Sequence, residues 1–181
     1  MSGYAAFLRG INVGGHRISS GELRARFEEL GFADVSTFRA SGNVAFAAAD
    51  EPLAEIAERI EQGLAGALGY DVPVFLRTAK EVRKIAIHQP FEEPLVEASK
   101  GKLQVAMLSA RPTAGARKQV LTLASDEDRL AFGDRELYWL PSGGMLDSEL
   151  DLKAIGKLLG LTTTRTKNTV EQLAAKYFAE V

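Results

Sequence analysis

Apolar residues in the first eighty positions alternate between short runs and stripes at helical spacing. Four runs predict strands, at 4–8, 35–38, 44–46 and 72–76. A capping box formed by Ser19 and Glu22 precedes a helical stripe that starts at Leu23, and a second helical stripe starts near Pro52. The resulting order β-α-β-β-α-β is typical of the ferredoxin-like fold.

The second half of the chain repeats this order of elements. Strands are predicted at 103–107, around 130–132, at 137–140 and at 161–165. Helical stripes at 113–124 and 152–159 supply the two helices between them. A last amphipathic helix follows the fourth strand, and Asn168 with Glu171 three residues on predicts its N-terminal cap.

We therefore predict an α+β protein built from two ferredoxin-like β-α-β-β-α-β halves, a duplication, with an extra C-terminal helix. Its predicted parts are an N-terminal half at 1–78, a linker helix and loop at 79–101, and a C-terminal half with the terminal helix at 102–181. The boundary rests on the prolines and the glycine within 89–101, which break regular structure. Thr78 and Glu81 form the capping box of the linker helix.

Composition excludes several kinds of functional site but does not indicate a function. The 181 residues include 22 Lys plus Arg and 24 Asp plus Glu, and residues 1–90 and 91–181 each have a net charge of −1. A broadly basic surface for nucleic acid is therefore not expected. Cysteine is absent, which excludes disulfides, cysteine nucleophiles and thiolate metal sites. With only His16 and His88 in the chain, a histidine-rich metal site is excluded as well. No cofactor is predicted.

Targeting signals are also missing from the pattern. No apolar run approaches the length of a membrane span, and the N-terminus has no signal-peptide layout. We expect a cytoplasmic protein that does not bind membranes.

A glycine-rich segment is the first candidate for binding chemistry. Residues 9–17 read Arg-Gly-Ile-Asn-Val-Gly-Gly-His-Arg and connect the first strand to the first helix. Glycines there turn backbone amides toward an anion, and a helix N-terminus favours negative charge. The spacing from Gly10 to Gly15 resembles a P-loop, but His16 and Arg17 replace the lysine and hydroxyl residue that bind a magnesium nucleotide. An ordinary turn is the alternative interpretation.

Two further segments carry reactive or polar groups. Ser41-Gly42-Asn43 separates two strands, and the tripeptide suits a simple hairpin turn. The alternative is a hydrolase or transferase that uses Ser41, with His16 or His88 as its base, or that uses His16 itself. The segment 162–169 holds hydroxyls and two cations before a helix, so it predicts either a phosphate or carboxylate site or an ordinary capped helix start. Whether the chain is an enzyme is left open.

The string from Arg9 to Gly15, the Leu23-Arg24 pair with the helix that follows, and Ser41-Gly42-Asn43-Val44 resemble the bacterial DUF1697 family. The segment from Thr163 to Val170 resembles the second signature of that family, with Thr166 and Lys167 departing from its common residues. The resemblance spans nearly the whole chain. It implies an α+β protein of two ferredoxin-like parts and no established activity.

The two signatures contain more polar residues than turns require. We predict a small anionic or phosphorylated ligand in a cleft between them, and the ligand-binding residues would be Arg9, Asn12, Gly14, Gly15, Ser41, Asn43, Arg165, Asn168 and Thr169. The strand directions are expected to put Arg9 near the end of the third strand and Asn43 near its start. RNA binding or protein interaction is the remaining alternative, with Phe7, Phe38 and Phe46 as strand aromatics that either stack on bases or pack in the core. The sequence does not determine the oligomeric state.

Overall fold

A computed structural model describes residues 1–39 and 42–180. Its strands are β1 (Ser2–Leu8), β2 (Ala33–Thr37), β3 (Asn43–Ala48), β4 (Val74–Thr78), β5 (Gln104–Leu108), β6 (Asp128–Phe132), β7 (Glu136–Pro141) and β8 (Thr162–Thr166). Its helices are α1 (Ser20–Glu29), α2 (Leu53–Leu68), α3 (Ala79–Ile87), α4 (Glu93–Ala98), α5 (Ala114–Leu121), α6 (Leu152–Leu159) and α7 (Lys167–Tyr177). The chain forms two compact units, one of residues 1–83 and 173–181 and the other of residues 84–172.

The first unit contains an antiparallel sheet of order β2-β3-β1-β4. Helices α1 and α2 bury their apolar stripes, including Phe27 and Ile60, against one face of that sheet. Phe27 lies in an aromatic cluster, with ring centroids 5.9 Å from Phe32 and 5.5 Å from Phe46. Because these side chains come from a helix, the following turn and β3, the cluster ties local elements into one core.

The second unit repeats the topology, with an antiparallel sheet of order β6-β7-β5-β8. Val120 from α5 and Ile155 from α6 pack with Trp139 in its core. The buried Asp128 carboxylate accepts hydrogen bonds from Trp139 Nε1 at 2.8 Å and from Ser148 Oγ at 2.7 Å. Together the two units confirm the predicted α+β fold of duplicated ferredoxin-like halves with a C-terminal helix, α7.

Several predicted boundaries differ from the structure by one or two residues. Pro52 occupies the N-cap of α2 and not its first turn. Strand β4 starts at Val74, two residues later than predicted, because its pairing with β1 begins where Leu8 lies opposite Val74. The expected loop at 89–101 contains α4, a six-residue helix with Pro94 in its first turn.

The start of α7 corrects one predicted cap. Asn168 is the second residue of this helix, so it does not cap it. The hydroxyl of Thr166, the last residue of β8, instead accepts a hydrogen bond from the Thr169 amide at 3.2 Å. The predicted partner Glu171 accepts from Lys167 Nζ at 2.9 Å, and the same Nζ donates to the Ala86 carbonyl at 2.8 Å. The strand therefore runs directly into the helix, without the loop that a cap at 168 would need.

Within residues 1–39 and 42–180, no helix is both long and apolar enough to cross a membrane.

The capping box of α1 gives a pH-dependent prediction. Ser19 N donates to Glu22 Oε2 at 2.8 Å and Glu22 N donates to Ser19 Oγ at 3.1 Å. Hydrogen bonding to the Ser19 backbone, followed by its side chain, lowers the pKa of Glu22 below its ordinary 4.5. The charged cap therefore stabilises the fold fully above the ordinary pKa, and this contribution is lost as the pH falls through the lowered pKa.

We expect the Glu22→Gln variant to be less stable than the parent at pH 7 and to approach it at about pH 3. Urea unfolding at both pH values measures this difference in unfolding free energy. A difference that does not change with pH would show that the charge of Glu22 contributes nothing to the cap.

Candidate functional site

One end of the first sheet collects three chain segments. The register of β1 and β3 places Phe7 opposite Asn43, so the end of β1 lies beside the start of β3. Leu8 N donates to the Gly42 carbonyl at 2.8 Å, and Arg9 N donates to the Pro73 carbonyl at 3.0 Å. The expectation that strand directions separate Arg9 from Asn43 is wrong, because the end of one strand in an antiparallel pair lies beside the start of the other.

The chain that leaves this sheet end is the 9–17 loop, and hydrogen bonds fix its shape. Tyr70 Oη donates to the Ile11 carbonyl at 2.7 Å, and the Ile11 side chain is buried beneath the loop. The side-chain oxygen of Asn12 accepts from Ile18 N at 2.8 Å. Arg17 Nη1 donates to the Asn12 carbonyl at 2.9 Å and to the His16 carbonyl at 2.8 Å. Asn12 and Arg17 thus help to hold the backbone of the loop.

The ring of His16 lies flat against the ring of Tyr70, which also binds the loop backbone. The His16 ring stacks on Tyr70 with centroids 3.8 Å apart and an angle of 23° between the planes. Tyr70 therefore contacts the loop twice, through its hydroxyl and through its ring face.

The 9–17 loop contains two arginines and no carboxylate. Arg9, His16 and Arg17 are exposed, and no Asp or Glu occurs before Glu22 in the chain. Gly14 and Gly15 are also exposed, with φ angles of 62° and 85°, and open space lies where a side chain would stand. An anion can therefore approach the backbone of these two glycines.

The N-terminus of α1 is less suitable for an anion than the sequence suggested. The Glu22 carboxylate already accepts the hydrogen bond from Ser19 N in the capping box. A second negative charge there would meet that carboxylate, so the glycines and cations of the 9–17 loop are the better anion partners.

The Ser41-Gly42-Asn43 segment is placed only in part. Ser41 lies outside the described residues, so its predicted role as a nucleophile or ligand stays a prediction. Asn43 is 2% exposed, and its Nδ2 donates to the Phe38 carbonyl at 3.1 Å, while Phe38 N donates to the Asn43 carbonyl at 2.9 Å. Asn43 therefore closes the β2–β3 hairpin from inside the fold.

The second motif also has local partners. Arg165 Nη1 donates to Thr163 Oγ1 and to the Thr164 carbonyl, both at 2.9 Å. Burial lowers the pKa of Arg165 to about 10, so its guanidinium is still charged at neutral pH. Thr169 is buried with its hydroxyl 2.8 Å from that of Thr166, whereas Asn168 is exposed.

The two motifs belong to different compact units, the first motif to residues 1–83 and the second to residues 84–172. The predicted cleft between Arg9 and Arg165 stays a prediction.

Sequence reasoning missed Tyr70 and Pro73 as supports of the 9–17 loop. Tyr70 lies 59 residues from the carbonyl that it binds. It follows the C-terminal glycine of α2, and neither its spacing nor its neighbours indicate a partner near the N-terminus. Only the pairing of β1 with β4 brings this part of the chain to the loop.

Of the three phenylalanines predicted on strands, Phe7 and Phe46 lie in β1 and β3, whereas Phe38 follows the end of β2. Phe7 and Phe46 are buried at 0% and 3% exposure, so neither offers a ring face to a nucleic-acid base. Phe38 is half-buried and lies near Tyr177, with Arg39 Cζ 5.6 Å and Lys176 Nζ 5.9 Å from its ring centroid.

Across the described ranges, no group of three His, Asp or Glu side chains is arranged to hold a metal ion.

The fold places the chain in the class of α+β proteins with two ferredoxin-like units, and a glycine-rich loop leaves one end of the first sheet. The model of a family described as "Protein of unknown function (DUF1697)" matches residues 1–138, and the chain belongs to this family. The structure of conserved bacterial protein SP0830 from Streptococcus pneumoniae is similar in fold, with a TM-score of 0.75 at 20% identity over 97% of this chain and 99% of that chain. No curated protein matches the chain.

Proposed function

We propose that this DUF1697 protein binds a small anionic ligand of the phosphorylated class, and that the 9–17 loop makes the principal contacts. The observation that carries the proposal is the fixed loop itself, which presents Arg9, His16 and Arg17 beside two exposed glycines without a carboxylate among them. Guanidinium groups and backbone amides are the donors that proteins most often direct at phosphate.

Preorganisation favours binding at this loop. The Tyr70 hydrogen bond, the Asn12 side chain and the buried Ile11 hold the backbone before any ligand arrives. A loop that is already ordered loses little conformational freedom on binding, so more of the interaction energy appears as affinity.

The second unit offers an internal comparison. Leu108 N donates to the Arg135 carbonyl at 2.9 Å, just as Leu8 N donates to that of Gly42. In the second unit Asp134, next to Arg135, pairs with Lys84 and lies 3.8 Å from Arg111. This pairing raises the pKa of Lys84 and lowers the pKa of Asp134. A carboxylate thus lies among the cations at that end of the second sheet.

Thermal unfolding with pairs of compounds that differ only in phosphate tests the proposal. AMP with adenosine, and glucose 6-phosphate with glucose, serve as pairs, and inorganic phosphate and pyrophosphate are added as simple anions. A phosphorylated compound at 100 times its Kd is expected to add about 2.7 kcal/mol of stability, and its unphosphorylated partner nothing.

We expect Arg9→Ala to weaken the affinity for the stabilising compound by about tenfold or more, because a charged hydrogen bond is lost. Arg24→Ala is the matched control, since Arg24 is an exposed arginine of α1 that pairs with Glu28 at 2.9 Å. The same titration on Arg165→Ala tests the separate prediction for the second motif. Equal affinities in the Arg9 and Arg24 variants, or no stabilisation by any phosphorylated compound, would reject the proposal.

A further inference from the structure

A furrow in the second unit provides a site separate from the 9–17 loop. It has a volume of about 880 Å³ and lies between the segment that leads into α4 and the start of β6. Pro90, Phe91, Leu95 and Leu130 give it apolar walls.

Two smaller hollows continue this furrow. One of about 140 Å³ shares Leu95, Asp126 and Arg129 with it. The next, of about 180 Å³, shares Pro141 and Ser142 with the previous hollow. We call the three together the acidic furrow; this elongated shape suits a segment of chain better than a compact small molecule.

Charge is distributed unevenly around the acidic furrow. Its walls include five carboxylates and one guanidinium, from Glu92, Asp126, Glu127, Asp128, Asp147 and Arg129. These groups contribute a net charge of −4, whereas the net charge of the whole chain is −2. All the remaining residues together therefore have a net charge of +2. The field here attracts cations and repels phosphates.

The carboxylates on the rim are accessible to a partner. The Asp126 side chain is 99% exposed and lies 3.7 Å from the Arg129 guanidinium, which is a weak surface pair. Glu127 is exposed as well. Asp128 differs, because it is buried and bound to Trp139 and Ser148, so it supports the wall and does not face a partner.

An exposed aliphatic side chain lies on the loop beside the last hollow. Gly144 and Asp147 line that hollow, and between them Leu146 is fully exposed and Met145 is 43% exposed. Apolar side chains at the rim of a charged furrow are typical of surfaces that bind proteins.

We infer that the acidic furrow docks a lysine- or arginine-rich amphipathic segment of a protein partner. Cationic side chains of the segment pair with Asp126, Glu127 and Glu92, while its apolar side chains pack on Phe91 and Leu95. The partner is defined by charge complementarity, which steers association and selects against acidic sequences.

A synthetic peptide of leucines and lysines at helical spacing, labelled with fluorescein, is the probe. Fluorescence anisotropy is expected to show saturable binding that weakens as salt is raised. The same peptide with glutamate in place of lysine is expected not to bind. Amide resonances of residues 91–93, 95 and 125–130 are expected to shift on addition of the lysine peptide.

The Asp126→Lys/Glu127→Lys double variant is expected to lose at least tenfold in affinity for the lysine peptide. Glu58→Lys/Asp71→Lys makes the same change in net charge at exposed positions of the first unit and is expected to keep the parent affinity. Circular dichroism confirms that both variants are folded.

Three results would overturn the inference. The first is equal loss of affinity in both double variants, which would mean attraction by net charge alone. The second is the absence of amide shifts in the acidic furrow. The third is self-association in sedimentation that the furrow variant abolishes, which would make a second copy of this chain the occupant.

Discussion

Replacing Phe27 by alanine is expected to lower the free energy of unfolding by about 3–5 kcal/mol. The side chain is 0% exposed and contacts the rings of Phe32 and Phe46. Its removal leaves a cavity between α1 and the sheet that neighbouring side chains fill only in part, and it also removes two aromatic contacts. Urea unfolding followed by circular dichroism measures the loss.

Phe38→Ala is the matched control for that experiment. Phe38 is half-buried and packs against Tyr177 and Lys176 at the surface, so we expect less than half of the loss. Comparable losses for the two variants would mean that the cluster around Phe27 is not the centre of the first core.

Replacing Gly42 by alanine is expected to cost about 2–4 kcal/mol, for two separate reasons. Its φ of 76° is unfavourable for any residue with a Cβ, and that Cβ would stand 3.1 Å from Leu8 Cβ and 3.2 Å from the Leu8 carbonyl oxygen. Because the Gly42 carbonyl accepts the hydrogen bond of Leu8 N, relief of the crowding would stretch the junction that starts the 9–17 loop.

Gly14→Ala separates backbone strain from crowding. Gly14 has a similar φ of 62°, but nothing lies within 4 Å of an added Cβ. We expect a cost of about 1–2 kcal/mol from the backbone alone. Unfolding of both variants in urea gives the two values, and equal costs would show that the approach of Gly42 to Leu8 contributes nothing.

Local chemistry explains most of the fold that could be predicted from the sequence. The Ser19 and Glu22 capping box and the glycine at position 69 set the ends of α1 and α2 through contacts within a few residues. The Thr78 and Glu81 capping box does the same for α3, with Thr78 N 2.8 Å from the Glu81 carboxylate. The prediction failed where two local signals competed, as at α7, whose cap is Thr166 and not Asn168.

The candidate site could be predicted only as a set of residue types. The motif indicated a glycine-rich loop with Arg9 as a binding residue, and in the structure Arg9, His16 and Arg17 are exposed on that loop. The sequence did not indicate that Asn43 is buried or that Asn12 and Arg17 bind the loop's own backbone. A polar side chain looks the same in sequence whether it faces a ligand or a neighbouring carbonyl.

The sequence by itself determined the kinds and order of elements in this protein, because periodicity, caps and turn residues act over a few positions. Only the tertiary structure decided which distant segments meet: Tyr70 under the 9–17 loop, Gly42 against Leu8, and the segment before α4 beside β6. These contacts depend on strand register and packing, which arise from the whole sheet and its core. The residue type at either position alone does not indicate them.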